Sequence, residues 1–148
     1  MAYDAFISYS HAHDGRLAAA IQSGLHRLAK PFYRRRALNV FRDKTSLAAS
    51  PALWPAIQAA IEQSKYFILL ASPDAAHSPW VHKELTWWIE HRQVNTLLIV
   101  LTGGELVWDR ARNDFDWSRT SAVPDLLRGQ CADEPLYVDL RWAENTAE

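Results

Sequence analysis

The chain has 148 residues, 49% apolar and 22% charged, so it can bury one core of useful size and is neither disordered nor fibrous. Sixteen Lys and Arg against seventeen Asp and Glu leave a formal charge of -1, which offers no electrostatic footprint for nucleic acid or an anionic membrane. A single cysteine, Cys131, excludes an internal disulfide and a CxxC metal site, and no run approaches the roughly 18 apolar residues of a membrane span.

The first ten residues carry Asp4 and no basic stretch, so they read as a strand rather than a signal peptide, and the expected location is cytoplasmic. Ala5 to Tyr9 is the first apolar run. After a turn-like segment around His11 to Gly15, Leu17, Ile21, Leu25 and Leu28 recur at helical spacing until Pro31 ends the pattern. Leu38 to Phe41 reads as a second strand. Ser50 and Pro51 then supply a cap and a first helical residue for a helix whose apolar stripe is Leu53, Ile57, Ala60 and Ile61. Tyr66 to Leu70 is apolar on both faces, as a central parallel strand should be. Ser78-Pro79 repeats the cap-then-proline start for a helix reaching His91. Thr96 to Leu101 is a fourth strand closed by Gly103-Gly104. Glu105 to Thr120 reads as irregular, Pro124 to Arg128 as a short helix, and Leu136 to Leu140 as a fifth strand.

Strands alternating with helices imply an α/β domain with a parallel sheet covered on both faces, because each parallel crossover needs a dozen or more residues. At this length the expected arrangement is a flavodoxin-like five-stranded sheet of order 2-1-3-4-5. Its ligand crevice then lies at the carboxyl ends of strands one and three. The five glycines form neither GxGxxG nor GxxxxGK[ST], so a dinucleotide-binding Rossmann domain and a P-loop nucleotidase are both disfavoured.

On the helix from Pro79, Val81, Leu85, Trp88 and Ile89 form a core stripe, while Trp80, Glu84, Trp87 and His91 gather about 100° away. An isolated glutamate on a helix is usually solvated, and tryptophan pairs are usually core. A carboxylate between two indoles at a sheet crevice nevertheless suits a planar cationic ligand such as a pyridinium ring.

Three segments carry a family resemblance. Tyr3 to Ser10 resembles the first signature box of TIR domains, the Toll/interleukin-1 receptor fold. Phe41-Arg42-Asp43, running to Leu47 and Ser50-Pro51, is similar to the second box and its BB loop. Ser78 to Leu85 resembles the segment bearing the catalytic glutamate of NAD-hydrolysing TIR domains. The resemblance covers residues 1–142, with 143–148 expected to be a tail or a linker to a further module. It implies the flavodoxin-like fold and cleavage of the nicotinamide–ribose bond of NAD+, which is a substrate and not a cofactor. It also implies Glu84 as the catalytic carboxylate, Trp80 stacking near a base, and Tyr9, Ser10, His11, Arg42 and Asp43 lining the pocket. Bacterial domains similar to this one are commonly effectors of anti-phage or signalling systems, fused to a sensor or oligomerising module. Self-association through the BB loop, about Asp43 to Pro51, is part of that expectation. Ser50 stands where the family commonly has glycine, and Ser10 and His11 stand where animal hydrolases have basic residues, so phosphate binding falls to Arg42 or Lys44.

A second reading, from another class, is a non-catalytic TIR adaptor that only self-associates; such an adaptor needs neither Glu84 nor Trp80. A receiver-like phospho-acceptor would want an Asp after the third strand, where Ala71-Ser72-Pro73 stands, and an acidic pair after the first. His11 and His13 lack a third metal ligand in the pattern and read as solvated, so no metal is expected. Arg34-Arg35-Arg36 reads as a solubility device before an edge strand.

Overall fold

The computed structural model describes residues 3–10, 16–23, 40–42, 53–135 and 137–144. Among them, strands β1 (Tyr3–Ser8), β2 (Val40–Arg42), β3 (Ser64–Ala71), β4 (Leu97–Leu101) and β7 (Tyr137–Asp139) form one sheet in the order β2-β1-β3-β4-β7. Every pairing in it is parallel, with Ile7 opposite Ile68 and Leu69 opposite Ile99. The α/β class with a parallel sheet is therefore as the strand–helix alternation implies.

Helical segments flank the sheet: α1 (residues 16–23), α2 (Leu53–Glu62), α3 (Pro73–Ala76) and α4 (Pro79–His91), with a last turn, α5 (Arg141–Glu144), after β7. Pro55 sits in the first turn of α2, where its missing N–H has no intrahelical partner to lose. In α3 and α4 a serine precedes a proline at the first helical position. Ser72 Oγ accepts from Ala75 N at 3.1 Å, and Ser78 Oγ accepts from Val81 N at 3.4 Å.

The period-2 alternation of strands sorts the core onto two faces. Phe6, Phe67, Leu69, Leu97, Ile99 and Leu101 face α2 and α4, where they meet Ile57, Ile61, Val81, Leu85 and Trp88. Ala5, Ile7, Tyr9, Ile68 and Leu70 face the other way and meet Ala18 of α1. The first face carries the larger cluster and is braced by aromatic contacts, Phe67 on Phe6 at 5.7 Å and on Trp88 at 5.5 Å between ring centroids.

The structure refines several expectations. The segment 105–120, largely turns as expected, also holds two short strands, β5 (Trp108–Asp109) and β6 (Asp114–Phe115), which pair as an antiparallel hairpin. Its turn is held by the Asp109 carboxylate, which accepts from Ala111 N and Arg112 N, and by Asn113 at φ 54. The short helix read at Pro124 to Arg128 is present as one 3-10 turn, Asp125–Leu127. Strand β1 starts at Tyr3, because Tyr3 N donates to Gln63 O at 3.0 Å and Tyr3 pairs with Ser64. Thr96 belongs to the 3-10 turn Val94–Thr96 rather than to β4, its hydroxyl donating to Gln93 O at 2.5 Å. The Ser50-Pro51 helix start and the run Arg34 to Arg36 lie outside the described residues.

Candidate active site

Alternation along β1 places Ser8 two residues beyond Phe6, hence on the face that α4 covers. Glu84 lies in the second turn of α4, with Val81 and Leu85 buried beside it. The two elements meet there. Ser8 Oγ donates to Glu84 Oε1 at 2.7 Å, a contact between residues 76 apart in sequence, and both residues are 0% exposed. Ser8 is the last residue of β1, at the carboxyl edge of the sheet. On one side of β1 the chain runs to β2 and on the other to β3, so this is the switch point of the sheet. A glutamate enclosed at that point is not a solvated helix residue.

Both partners are held by rigid structure. β1 is paired on both sides, with Ser8 opposite Leu69. At the start of α4 the His82 ring nitrogen bonds Ala76 O at 2.6 Å, and further along the helix Trp88 Nε1 donates to Thr96 Oγ1 at 3.0 Å. Beyond the last turn, Arg92 reaches across to Ser64 O at 3.1 Å and Glu62 O at 2.6 Å. These bonds fix the helix along its length and therefore fix the carboxylate it carries.

The two indoles flanking Glu84 have different environments. Trp80 is half-buried, its ring 6.3 Å from that of Trp54, and Lys83 Nζ lies 4.6 Å from the Trp54 ring and 5.5 Å from the Trp80 ring. Trp87 belongs to the large core cluster and stacks on His91 at 4.3 Å with planes 14° apart. The stripe that the helix spacing sets apart from the core is thus itself partly core. The reason is that α4 is buried over two adjacent faces, against the sheet and against α2.

The first-strand residues divide. Ser10 is 6% exposed just past β1, while Tyr9 is 3% exposed and packs into the smaller cluster on the opposite face, with Ala5 and Ile7. His11 and Asp43 lie outside the described residues, as do His13, Lys44 and the loop to Pro51; Arg42 ends β2, and only its backbone is described. Ser8 stands at the carboxyl end of the first strand, where the strand order puts the crevice, and is a polar residue in an apolar run, in phase with Phe6; what the structure adds is its bond to Glu84. Among the described residues no group of three His, Cys, Asp or Glu stands close enough to hold a metal ion, and no helix is long and apolar enough to cross a membrane.

Comparison with known proteins places this geometry. A family model described as TIR domain matches residues 5–144. The NAD(+) hydrolase ApTIR of Actinoplanes sp. strain SE50/110 is 57% identical over 143 residues, covering 97% of this chain and 20% of that protein. The chain therefore spans about a fifth of the length of that curated relative. The TIR domains of the activated Roq1 resistosome, which directly recognizes the pathogen effector XopQ, share the fold with a TM-score of 0.51 at 17% identity, over 70% of this chain and 59% of that one. With a family match over nearly its whole length and a relative of such high identity, the chain belongs to the TIR domain family.

Proposed function

We propose that this chain is an NAD+ glycohydrolase domain, cleaving the bond between nicotinamide and ribose. The observation that carries the reading is the Glu84 carboxylate, enclosed at the carboxyl end of β1 and held at 2.7 Å by Ser8. The 57% identity to a protein named as an NAD(+) hydrolase supports it.

One carboxylate suffices for this chemistry. Ordinary glycosidases need a second carboxyl group to protonate the leaving oxygen. Here the C1′–N1 bond breaks with its electron pair going to the pyridinium nitrogen, so nicotinamide leaves neutral and unprotonated. The ribosyl centre becomes oxocarbenium-like. Water then adds at C1′ and loses a proton, giving nicotinamide, ADP-ribose and H+; capture by a ring nitrogen of the substrate's own adenine gives a cyclised isomer instead. The work left to the protein is to face the developing positive charge with a fixed anion and to orient the ribose hydroxyls, and Glu84 serves both.

In this reading Trp80 and Ser10 line the substrate path, joined by His11, Arg42 and Asp43 around the first- and second-strand ends, while Tyr9, packed on the opposite face, supports the strand end. We assign activation to self-association through the segment Asp43 to Pro51, within a longer cytoplasmic protein that supplies a sensor or oligomerising module.

The test is direct. Purified protein, with and without a clustering agent, is incubated with NAD+ and nicotinamide is quantified by chromatography. Glu84→Ala lowers turnover by roughly 10²–10⁴ with an unchanged circular dichroism spectrum. Near-wild-type turnover in that variant removes Glu84 from its role. Absence of nicotinamide release from clustered wild-type protein leaves only the adaptor reading.

A further inference from the structure

We infer that Ser8 is a positioning residue for Glu84, setting the orientation of the carboxylate that meets the ribose; this rests on the NAD+ glycohydrolase reading and adds a residue to it. The hydroxyl of Ser8 and Oε1 of Glu84 are 2.7 Å apart in a site where both residues are fully buried. That distance is the ordinary length of a well-formed O–H···O hydrogen bond. The contact joins two elements that are each fixed independently, a strand paired on both sides and a helix tied down along its length.

A glutamate has three side-chain torsions, and the last of them, which turns the carboxylate plane, is broad and weakly restrained by its own geometry. A donor on Oε1 fixes that torsion. Covalent geometry then fixes where the second oxygen points. Serine suits the task because it has one heavy-atom torsion, so little side-chain entropy is lost in holding the donor still. The backbone beneath it ends a strand paired on both sides, with Ser8 itself opposite Leu69. Misplacement of a reacting group by about 1 Å costs up to about 10²-fold in rate, so a freed carboxylate loses turnover even though its charge is unchanged. Substrate affinity, set by contacts elsewhere on the dinucleotide, is left nearly intact.

The experiment compares Ser8→Ala, Ser8→Thr and Ser8→Val in the clustered NAD+ assay, with kcat and KM measured separately and folding checked by circular dichroism. Threonine and valine have the same shape, so the pair differs only in the hydroxyl and remains informative if the Ala variant fails to fold. Ser8→Ala is expected to lower kcat about 10–100-fold with KM changed less than about threefold, and Ser8→Thr to exceed Ser8→Val by about tenfold or more in kcat. Folded Ser8→Ala with wild-type kcat overturns the inference, and so do equal kcat values for folded Thr and Val variants. A rise in KM alone overturns it too, because it assigns Ser8 to substrate binding. If wild-type protein releases no nicotinamide, the glycohydrolase reading itself has failed and the positioning role falls with it; wild-type release beside an unaffected Ser8→Ala removes the positioning role alone.

Discussion

Single residues in this domain show how local hydrogen bonds set charge. Asp116 is the clearest case. Its carboxylate accepts from the Ser118 hydroxyl at 2.6 Å and from Arg119 Nε at 2.8 Å, and these bonds, with the Ser118 N–H, hold its pKa down at about 2 against an ordinary 3.8. Asp139 is depressed in the same direction by the Arg141 guanidinium. Asp114 is depressed as well: burial pushes it up, but bonds from the Trp117 indole and the Gly129 and Phe115 N–H groups outweigh that. Carboxylates depressed in the folded state mean that the unfolded chain binds more protons between about pH 4 and pH 2, so stability is present above that window and lost as pH falls through it. Melting temperature should therefore drop across that range, and the drop should be shallower in Asp116→Asn. Equal slopes for the two proteins would show that the Ser118 and Arg119 bonds do not persist in solution. The same scale marks what sequence could reveal about the site. Glu84 was legible because spacing put it beside Trp80 at a crevice that strand order located. Its pairing with Ser8 was not, because a serine at a strand end carries no sign of which helix will cross it 76 residues later.

At the scale of elements, the chain's turns decide how the helix that carries Glu84 is delivered. Gly104 follows β4 at φ +74, and a Cβ there would come 2.8 Å from Pro73 Cδ and 2.8 Å from Ser121 Oγ. Pro73 opens α3, which leads through Ser78 into α4. Gly129 has the same backbone sign, φ +73, but open space around it. The two glycines separate conformational strain from steric strain. Gly129→Ala should cost about 1–2 kcal/mol, the left-handed penalty alone. Gly104→Ala adds an overpacking term of about 1–3 kcal/mol, and chemical denaturation should rank it clearly below Gly129→Ala. A reversed order would contradict the close approach of this loop to α3. Long elements such as α4 were readable because a cap, a proline and an apolar stripe agree over 13 residues. The hairpin of β5 and β6 was not, since strands of two residues are too short for any period to appear. It is stabilised instead by contacts that only the fold assembles, Phe115 packing edge-on against Trp108 at 5.2 Å and Trp117 at 5.6 Å.

Across the whole molecule, stability is graded from the middle of the sheet to its edge, and the proposed site sits at the stable end. β1 and β3 are each paired on both sides, and Phe6, Ile7, Phe67, Leu69 and Leu70 are fully buried. β7 is the terminal strand of the described sheet, and all three of its residues are exposed, Val138 at 56%; Leu98 on the adjacent strand is exposed at 43%. Parallel strands gain their stability from cover on both faces, so β7 lacks what β3 has. Amide hydrogen exchange reads this gradient directly, because amides released only by global unfolding exchange far more slowly than those freed by local opening. Amides of Ile7, Ile68 and Leu69 should exchange with the global unfolding free energy, and those of Val138 and Asp139 at least about 100-fold faster. The consequence for chemistry is that Ser8, on β1, and Glu84, held against it, share the protection of the sheet's centre, so the carboxylate is fixed before substrate arrives. Exchange at Ile7 as fast as at Val138 would mean that β1 opens locally. A carboxylate positioned from β1 would then have no rigid base, whatever the distance between its oxygen and the serine.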